Sequence, residues 1–199
     1  MISYFVMNIE YEATFPDVDK REVRERLLAV GATLVKPEFL QKRVVFNLPK
    51  GHEIPGGWMR VRDEGDRITM SLKVVDGEHI ENQKETCLVI DNFDEGVNLL
   101  LALGCEKKSY QETRRELWTL DGTEVTIDEW PFLRPFVEVE GKSEASVRQV
   151  AEKIGFDYRE ALFGAVDVLY LRQYPHLTFD RINQAPLIVF DGDNPFAEN

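Results

Sequence analysis

Phe136-Val137-Glu138-Val139-Glu140-Gly141 is the stretch that decides the fold, because apolar and acidic residues alternate along it. Side chains at positions i and i+2 of a β-strand lie on the same face of the sheet. Glu138 and Glu140 therefore share one face, and Val137 and Val139 share the other. The stretch predicts a strand with one charged face and one apolar face.

The same alternation recurs in other parts of the chain. Glu10 and Glu12 share a face, as do Arg60 and Arg62. The opposite faces of these strands carry Ile9, Tyr11, Met59, Val61, Val137 and Val139. A charged face on an ordinary half-buried sheet meets water. Because several strands carry charges here, in blocks of one sign, we instead expect a barrel whose charged face points inward.

The order of predicted elements supports a barrel with helices outside it. Strands are predicted over residues 7–15, 41–48, 58–62, 67–75, 85–90, 111–120, 124–129 and 136–140, and helices over 20–30, 94–103, 143–154 and 158–174. A faint repeat also runs through the chain: Glu12 and Glu85 are separated by 73 residues, as are the predicted helix-ending glycines Gly31 and Gly104. Two similar halves predict a pseudo-twofold barrel, whose closure removes exposed sheet edges.

An inward charged face has an evident chemical use. Clustered carboxylates repel one another unless a cation neutralises them, and their hard oxygen atoms suit Mg²⁺ or Mn²⁺. Arginine and lysine side chains, among them Lys73, suit phosphate oxygens. Metal together with basic residues is the recurring solution for phosphoryl transfer. The alternative is that these charges only form ion pairs within the barrel wall.

Composition excludes several other classes of function. The net charge of −12 argues against nonspecific binding to nucleic acids or membranes. The two cysteines and three histidines lack metal-ligand spacing, which disfavours a zinc site and a disulfide scaffold. No apolar run approaches the roughly 20 residues of a membrane span. The apolar stretch 1–7 lacks a basic leader and is interpreted as a strand. We expect a cytoplasmic protein with reduced thiols.

The order of these motifs resembles the CYTH, or triphosphate tunnel metalloenzyme, superfamily, over about residues 9–174. Its members include class IV adenylyl cyclases, thiamine triphosphatases and inorganic triphosphatases. The family opens with Glu-x-Glu-x-Lys, which Glu10-Tyr11-Glu12-Ala13-Thr14 matches at both glutamates. Further matches are Arg60-Val61-Arg62, Ser71-Leu72-Lys73, Glu85, the basic strand at residues 112–118, and the stretch from Thr126 to Gly141.

The resemblance implies an α+β fold: a closed antiparallel eight-stranded tunnel barrel with helices packed outside. It also implies roles for particular residues. The implied metal ligands are Glu10, Glu12, Glu138 and Glu140, with Asp128 as a weaker candidate. The implied substrate-binding residues are Arg43, Arg60, Arg62, Lys73, Glu85, Arg114 and Arg115. Strand parity lets only one of Arg114 and Arg115 point cleanly inward. The residues expected to act in catalysis are Glu10, Glu12, Lys73 and Arg115.

Two positions depart from the family pattern. Thr14 stands where relatives carry the lysine of the opening motif. Arg43 stands where relatives often carry an acid, and we hypothesise that it supplies the missing positive charge from a neighbouring strand. The tryptophans Trp58, Trp118 and Trp130 are interpreted as core residues rather than substrate platforms.

Three functions remain open at this point. The first is a metal-dependent triphosphatase acting on inorganic triphosphate, thiamine triphosphate or a nucleoside triphosphate. The second is a class IV adenylyl cyclase that converts ATP to cyclic AMP and pyrophosphate. The third is a noncatalytic binder of organic phosphates. The expected partner is a small-molecule triphosphate or nucleotide. Residues 1–174 are expected to form the tunnel domain. Residues 175–199 form a C-terminal extension expected to add an edge strand, to stay mobile, to cover a barrel end or to mediate a homodimer.

Overall fold

The chain folds around one strongly curved antiparallel sheet. The computed structural model describes residues 7–198. The strands are β1 (Asn8–Ile9), β2 (Tyr11–Phe15), β3 (Thr33–Asn47), β4 (Gly57–Asp63), β5 (Ile68–Val75), β6 (Gln83–Ile90), β7 (Glu106–Leu120), β8 (Thr123–Glu129), β9 (Phe136–Gly141) and β10 (Leu187–Ile188). The helices are α1 (Lys20–Ala29), α2 (Phe93–Ala102), α3 (Glu144–Lys153), α4 (Asp167–Gln173) and α5 (Phe179–Asn183).

The N-terminal segment joins the two ends of the sheet. The strand order is β1-β6-β5-β4-β3-β7-β8-β9-β2, so β1 pairs with β6 at one end and β2 pairs with β9 at the other. Only Glu10 separates β1 from β2 along the chain. The sheet therefore nearly closes into a barrel, which confirms the predicted fold. The path contains nine strands where eight were predicted, because the first predicted strand is divided at Glu10.

Two outer helices pack on one side of the barrel where their apolar faces are buried. Val23 and Leu27 of α1 and Val147 of α3 join one core with the outer faces of β2, β7, β8 and β9. The Asp19 carboxylate caps α1 by accepting hydrogen bonds from the backbone N–H groups of Arg21 and Glu22. Because the two helices cover the apolar faces of these strands from outside, the opposite faces of the strands line the interior of the barrel.

Helix α2, which follows α1 in the predicted repeat, also packs on the outside of the barrel. Helix α2 covers β4 and β5, where Leu100 packs in a cluster with Phe46 and Val61. Gly31 follows α1 with φ 81°, and Gly104 follows α2 with φ 88°. Both glycines adopt the left-handed conformation that commonly ends a helix. The glycines that are 73 residues apart thus play the same structural role.

Residues after β9 differ from the prediction. The helix predicted over residues 158–174 is wrong for its middle part, since only a short 3-10 helix (Tyr158–Glu160) and α4 form there. Leu162 instead exchanges backbone hydrogen bonds of 2.9 Å with Thr14 in both directions. Gly164, with φ 116°, follows this bridge. Pairing with the sheet therefore replaces helix formation.

The C-terminal extension packs on the barrel. Strand β10 pairs in parallel with β7, with Leu187 opposite Tyr110. Ile182 and Phe196 are buried in a cluster with Trp130. The domain boundary at residue 174 stays a prediction, and the strand predicted over residues 1–7 lies outside the described residues except for Met7. Among residues 7–198, no helix has the length and apolar character that a membrane crossing requires.

Candidate functional site

The interior of the barrel contains a cavity of about 200 Å³. Strands β2 to β7 and β9 contribute charged side chains to it. Its charged lining residues are Glu10, Glu12, Arg43, Arg60, Arg62, Lys73, Glu85, Lys108, Arg115, Glu138, Glu140 and Asp167. Nearly all of the site residues predicted from sequence therefore come together. Asp128 and Arg114 are the predicted residues that do not line the cavity.

Strand register explains why the acidic residues meet. In the β2–β9 pair, Glu12 lies opposite Glu140 and Thr14 lies opposite Glu138. Directly opposed residues of antiparallel strands share a face, with Cβ atoms about 4.5–5.5 Å apart. Two strands distant in sequence thus place carboxylates side by side. Like charges in such positions destabilise the sheet unless something neutralises them.

A first group of ion pairs joins the acidic and basic walls. The Nζ atom of Lys73 lies 2.6 Å from Oε2 of Glu10 and 3.9 Å from Oε2 of Glu85. An Nη atom of Arg60 donates a hydrogen bond of 3.0 Å to Oε1 of Glu85. The register of β5 and β6 places Lys73 and Glu85 opposite each other. Glu85 is thus paired with two cations of the wall, and its expected role in substrate binding stays a prediction.

A second group surrounds Arg115. Its guanidinium donates to both carboxylate oxygens of Asp128, at 2.7 and 2.9 Å, and to Oε2 of Glu138 at 2.5 Å. Thr126 also donates to Asp128, which is fully buried. Because Arg115 and Thr126 occupy both of its oxygens, Asp128 acts here as a support for Arg115. Its predicted role as a metal ligand stays a prediction, and the contacts of Asp128 give it no support.

Arg43 differs from the other basic residues of the cavity. Its side chain is buried, and its Nη atom donates to Oε1 of Gln41 at 3.0 Å and to the Thr113 hydroxyl at 2.6 Å. The guanidinium lies 4.7 Å from the ring centre of Trp130. Among residues 7–198, no carboxylate forms an ion pair with Arg43, and its Nε atom has no hydrogen-bond partner. Arg43 is therefore a buried cation whose charge the described protein does not balance.

The electrostatics around Arg43 favour an anion. Burial lowers the pKa of Arg43 well below its usual value, and the charges of Arg60, Arg62 and Arg115 lower it further. Burial and the neighbouring charge of Arg60 also lower the pKa of Arg62 to about 10. An anion bound between these guanidinium groups would relieve their mutual repulsion and raise these pKa values.

The pKa values of four cavity glutamates are raised, whereas those of Arg43 and Arg62 are lowered. Burial raises the pKa of Glu10 to about 8, partly offset by Lys73. Burial and the charge of Glu12 raise the pKa of Glu138 to about 8. The pKa values of Glu12 and Glu140 are raised as well, chiefly by burial. The acidic wall therefore disfavours its own full ionisation in the absence of a cation.

These carboxylates fit a divalent metal. Oε2 of Glu10 is buried, and its contact with Lys73 is an ion pair at 2.6 Å that lacks the geometry of a hydrogen bond. Within the described part of the chain, no group of three or more acidic, histidine or cysteine side chains is already arranged as a metal site. Mg²⁺ is usually held by one or two carboxylates together with substrate phosphates and water. The donor set thus suits a metal that binds together with a phosphate ligand.

The structure separates Arg114 from Arg115. Arg114 lies on the outer face, where it donates to Glu129 at 3.2 Å and its guanidinium lies 4.0 Å from the ring centre of Phe190. Arg115 points into the cavity, so the parity argument was right that only one of the two could do so. Arg114 therefore has no place in the candidate site.

Arg43 reaches the cavity from a different direction than expected. Strand β3 is four strands away from the β1–β2 segment in either direction around the barrel, and so it is not a neighbour of β2. Thr14 lies on β2, buried and opposite Glu138. The positive charge of Arg43 therefore comes from the wall opposite Thr14 and not from a neighbouring strand, which corrects that part of the hypothesis.

Other lining residues were missed from the sequence. Gln111, Lys108 and Asp167 line the cavity, but none of them belongs to a motif that was singled out from the sequence. Trp58 and Trp130, interpreted as core residues, also contribute to its wall. Strand alternation could have found Gln111, which is four residues from Arg115 on the same strand and hence on the same face.

Comparisons with known proteins agree with this architecture. Residues 8–169 match the family model of the CYTH domain. A conserved hypothetical protein from Pyrococcus furiosus superposes with a TM-score of 0.67 at 18% identity, covering 80% of this chain and 99% of that one. A protein from Vibrio parahaemolyticus, described as a "putative adenylate cyclase", superposes with a TM-score of 0.70 at 10% identity, covering 82% and 98%.

A third solved structure is that of a plant protein from Hippeastrum. It is described as a "putative adenylyl cyclase" with a dominant triphosphatase activity, and it superposes with a TM-score of 0.55 at 12% identity, covering 85% of this chain and 98% of that one. At identities this low, likeness establishes the shared fold alone. No curated protein matches the chain significantly. Because the family model spans most of the chain and the barrel has the same fold, the chain belongs to the CYTH domain family.

Proposed function

We propose that this protein is a divalent-metal-dependent enzyme that hydrolyses a triphosphate inside its barrel. The observation that carries the proposal is the charge arrangement of the cavity, where a basic wall with an unbalanced Arg43 faces an acidic wall of glutamates. A phosphate chain satisfies the basic wall, and a divalent cation satisfies the acidic one. A triphosphate bound with metal supplies both.

The basic residues would hold the phosphate oxygens. Arg43, Arg60 and Arg62 belong to the paired strands β3 and β4, where Arg43 lies opposite Arg62 and Val45 lies opposite Arg60. Guanidinium groups can bind phosphate through two parallel hydrogen bonds, which gives both affinity and orientation. Lys73 and Arg115 face the same cavity from other strands. Such a cage replaces a glycine-rich phosphate-binding loop by side chains.

The glutamates would hold the metal. Glu12 and Glu140, which are directly opposed, are the best-placed pair; Glu10 precedes β2 by one residue, and Glu138 lies two residues before Glu140 on β9. A bound divalent cation supplies charge neutralisation at the phosphate oxygens and helps to activate a water molecule. Lys73 and Arg115 would stabilise negative charge on the phosphate oxygens as the terminal phosphorus–oxygen bond breaks.

Product analysis tests this proposal. The purified protein is incubated with inorganic triphosphate and, separately, with ATP, in Mg²⁺ or Mn²⁺, and the products are identified. We expect metal-dependent release of phosphate, with pyrophosphate as the second product from inorganic triphosphate and ADP as the second product from ATP. The Glu12→Ala, Glu138→Ala double variant serves as the inactive control. Cyclic AMP with pyrophosphate would instead establish cyclisation, and the absence of any turnover would favour a noncatalytic binder.

A further inference from the structure

The turn between β4 and β5 places a buried carboxylate behind Arg62. Glu64, the residue that follows β4, is buried but does not line the cavity. Its Oε1 atom accepts a hydrogen bond of 2.8 Å from Nε of Arg62, and Nη2 of Arg62 lies 2.6 Å from the same oxygen. Nε of Arg67 donates to Oε2 at 2.8 Å, and the Thr69 hydroxyl donates to Oε1 at 3.3 Å. Donors of the protein therefore occupy both oxygens of Glu64.

The turn that carries Glu64 is itself held in place. The backbone N–H of Glu64 donates to the Arg67 carbonyl at 2.9 Å. Nζ of Lys36 donates to the Glu64 carbonyl and to the Asp66 carboxylate, both at 2.6 Å. Gly65 has φ 86°, the left-handed conformation that a tight turn requires. The position of the Glu64 carboxylate is thus fixed by the turn and does not depend on a ligand.

Glu64 contacts one edge of the Arg62 guanidinium and leaves the other edge unoccupied by it. In a guanidinium, Nε and Nη2 form one edge, and Nη1 and Nη2 form the other; each edge can bind a carboxylate or a phosphate through two hydrogen bonds. Glu64 occupies the edge formed by Nε and Nη2. Asp128 occupies the same edge of Arg115. Two arginines that line the cavity are therefore held from behind by a buried carboxylate.

The surroundings of Arg62 explain why such a support is needed. Burial and the charges of Arg60 and Arg115 disfavour the charged guanidinium at this place, whereas the charge of Glu64 favours it. The mutual repulsion of these cations acts to drive a long, flexible side chain out of the cavity. An arginine that is ordered before the ligand arrives also loses less conformational entropy on binding. A fixed carboxylate behind Arg62 therefore favours binding of an anion in front of it.

We infer that Glu64 is a positioning residue, which holds one edge of the Arg62 guanidinium so that the other edge faces the phosphate oxygens of the ligand. Glu64 itself touches neither the ligand nor the metal. This inference rests on the proposed function, because the ligand that Arg62 would bind is the same triphosphate.

Calorimetric titration with inorganic triphosphate in metal-free buffer tests the role of Glu64. Glu64→Ala removes the support and should weaken binding by at least about fivefold. Glu64→Gln should bind within about twofold of the original protein, since its amide oxygen still accepts from Arg62 and the Arg67 side chain, which is 57% exposed, can move away. Asp66→Ala is the matched control, because Asp66 lies in the same turn and bonds to Lys36 without touching Arg62. Its affinity should stay within about twofold.

A second background distinguishes positioning from a general effect on the fold. In an Arg62→Met protein there is no guanidinium to position, so adding Glu64→Ala should change the affinity for triphosphate by less than about twofold. If the loss of about fivefold persists in this background, Glu64 does not act through Arg62 and the inference is wrong. Thermal unfolding followed by circular dichroism verifies that each variant is folded.

NMR of the unmutated protein decides the question if Glu64→Ala does not fold. The Nε–H signal of Arg62 is assigned by its absence from Arg62→Met. In the ligand-free protein it should exchange with water at least about tenfold more slowly than that of Arg21, whose side chain is 86% exposed. The slow exchange should persist when triphosphate binds. Fast exchange in the free protein, or loss of protection on binding, would show that Glu64 does not hold this edge, and the inference would be overturned.

The outcomes separate this inference from the proposed function. If the original protein binds no triphosphate, both are overturned. If the original protein binds triphosphate and a folded Glu64→Ala variant binds it as tightly or more tightly, the positioning role is overturned while the triphosphate proposal stands.

Discussion

Replacing Arg43 by methionine gives the most informative single perturbation, because it should weaken ligand binding without weakening the fold. Methionine keeps most of the side-chain volume and removes the buried charge. The two hydrogen-bond partners of Arg43 remain satisfied, since the Thr113 hydroxyl donates to Oε1 of Gln41 at 3.1 Å. Removing a cation that no described carboxylate balances should leave the free energy of unfolding unchanged or raise it.

The cost to ligand binding follows from the contacts that Arg43 would make. A hydrogen bond to a charged group contributes about 1.5–3 kcal/mol. One such bond to a phosphate therefore corresponds to an affinity loss of roughly 10- to 150-fold. Arg62→Met, which removes a guanidinium from the opposed position on β4, should weaken binding by a similar factor.

The assay is calorimetric titration with inorganic triphosphate in metal-free buffer, combined with urea unfolding of each variant. Arg114→Met is the matched control, because Arg114 belongs to the adjacent strand but lies on the outer face. Its affinity should stay within twofold of the original protein. The reasoning is refuted if Arg43→Met binds triphosphate as tightly as the original protein. A large loss of stability would instead show that Arg43 has a structural role.

Three further predictions concern the fold and the acidic wall. In metal-free buffer the melting temperature should fall as the pH rises from 5 to 8, because the carboxyl of Glu138 ionises near 4.5 when unfolded but has a pKa of about 8 when folded. Glu138→Gln should flatten this profile, and an unchanged slope would contradict the account. Gly56→Ala should lower the free energy of unfolding, measured with urea, by more than about 2 kcal/mol, because the added Cβ would lie 1.9 Å from the Val75 carbonyl oxygen. Gly51→Ala is the control, since Gly51 has a similar φ but open surroundings, and it should cost only about 1–2 kcal/mol. Arg24→Ala should cost about 1–3 kcal/mol, because it removes the ion pair of the buried Glu116 with a side chain that is itself 37% exposed, and a cost below about 0.5 kcal/mol would show that the pair is dispensable.

Local sequence patterns predicted most of the strands and helices, because interactions between neighbouring residues determine where most of them begin and end. The alternation along Phe136–Gly141 predicted its charged and apolar faces, and Gly31 marked the end of the first helix. Strand β3 was predicted only from residue 41, yet it begins at Thr33. Register shifts around Lys36 disrupt its pairing with β7, so the alternation that marks a strand is absent there.

Contacts between residues that are distant in sequence determine the features that local patterns did not predict. The bridge between Thr14 and Leu162 overrides the helical pattern of residues 158–174, and no local signal announces it. Only the folded barrel shows that Arg115 and not Arg114 lines the cavity. Residues after β9, such as Asp167, line the cavity through tertiary packing alone. Sequence patterns thus predicted the charged wall but not the lining that residues after β9 contribute.

Anomalous diffraction tests the central claim most directly, namely that the two walls hold a metal and a triphosphate together. Crystals are grown with Mn²⁺ and a hydrolysis-resistant imido analogue of triphosphate, and data are collected at the manganese edge. The account predicts a manganese peak in the cavity, coordinated by at least one of Glu10, Glu12, Glu138 and Glu140, with phosphate density against Arg43 and Arg62. A cavity with neither manganese nor phosphate, in crystals grown at saturating concentrations of both, would contradict it.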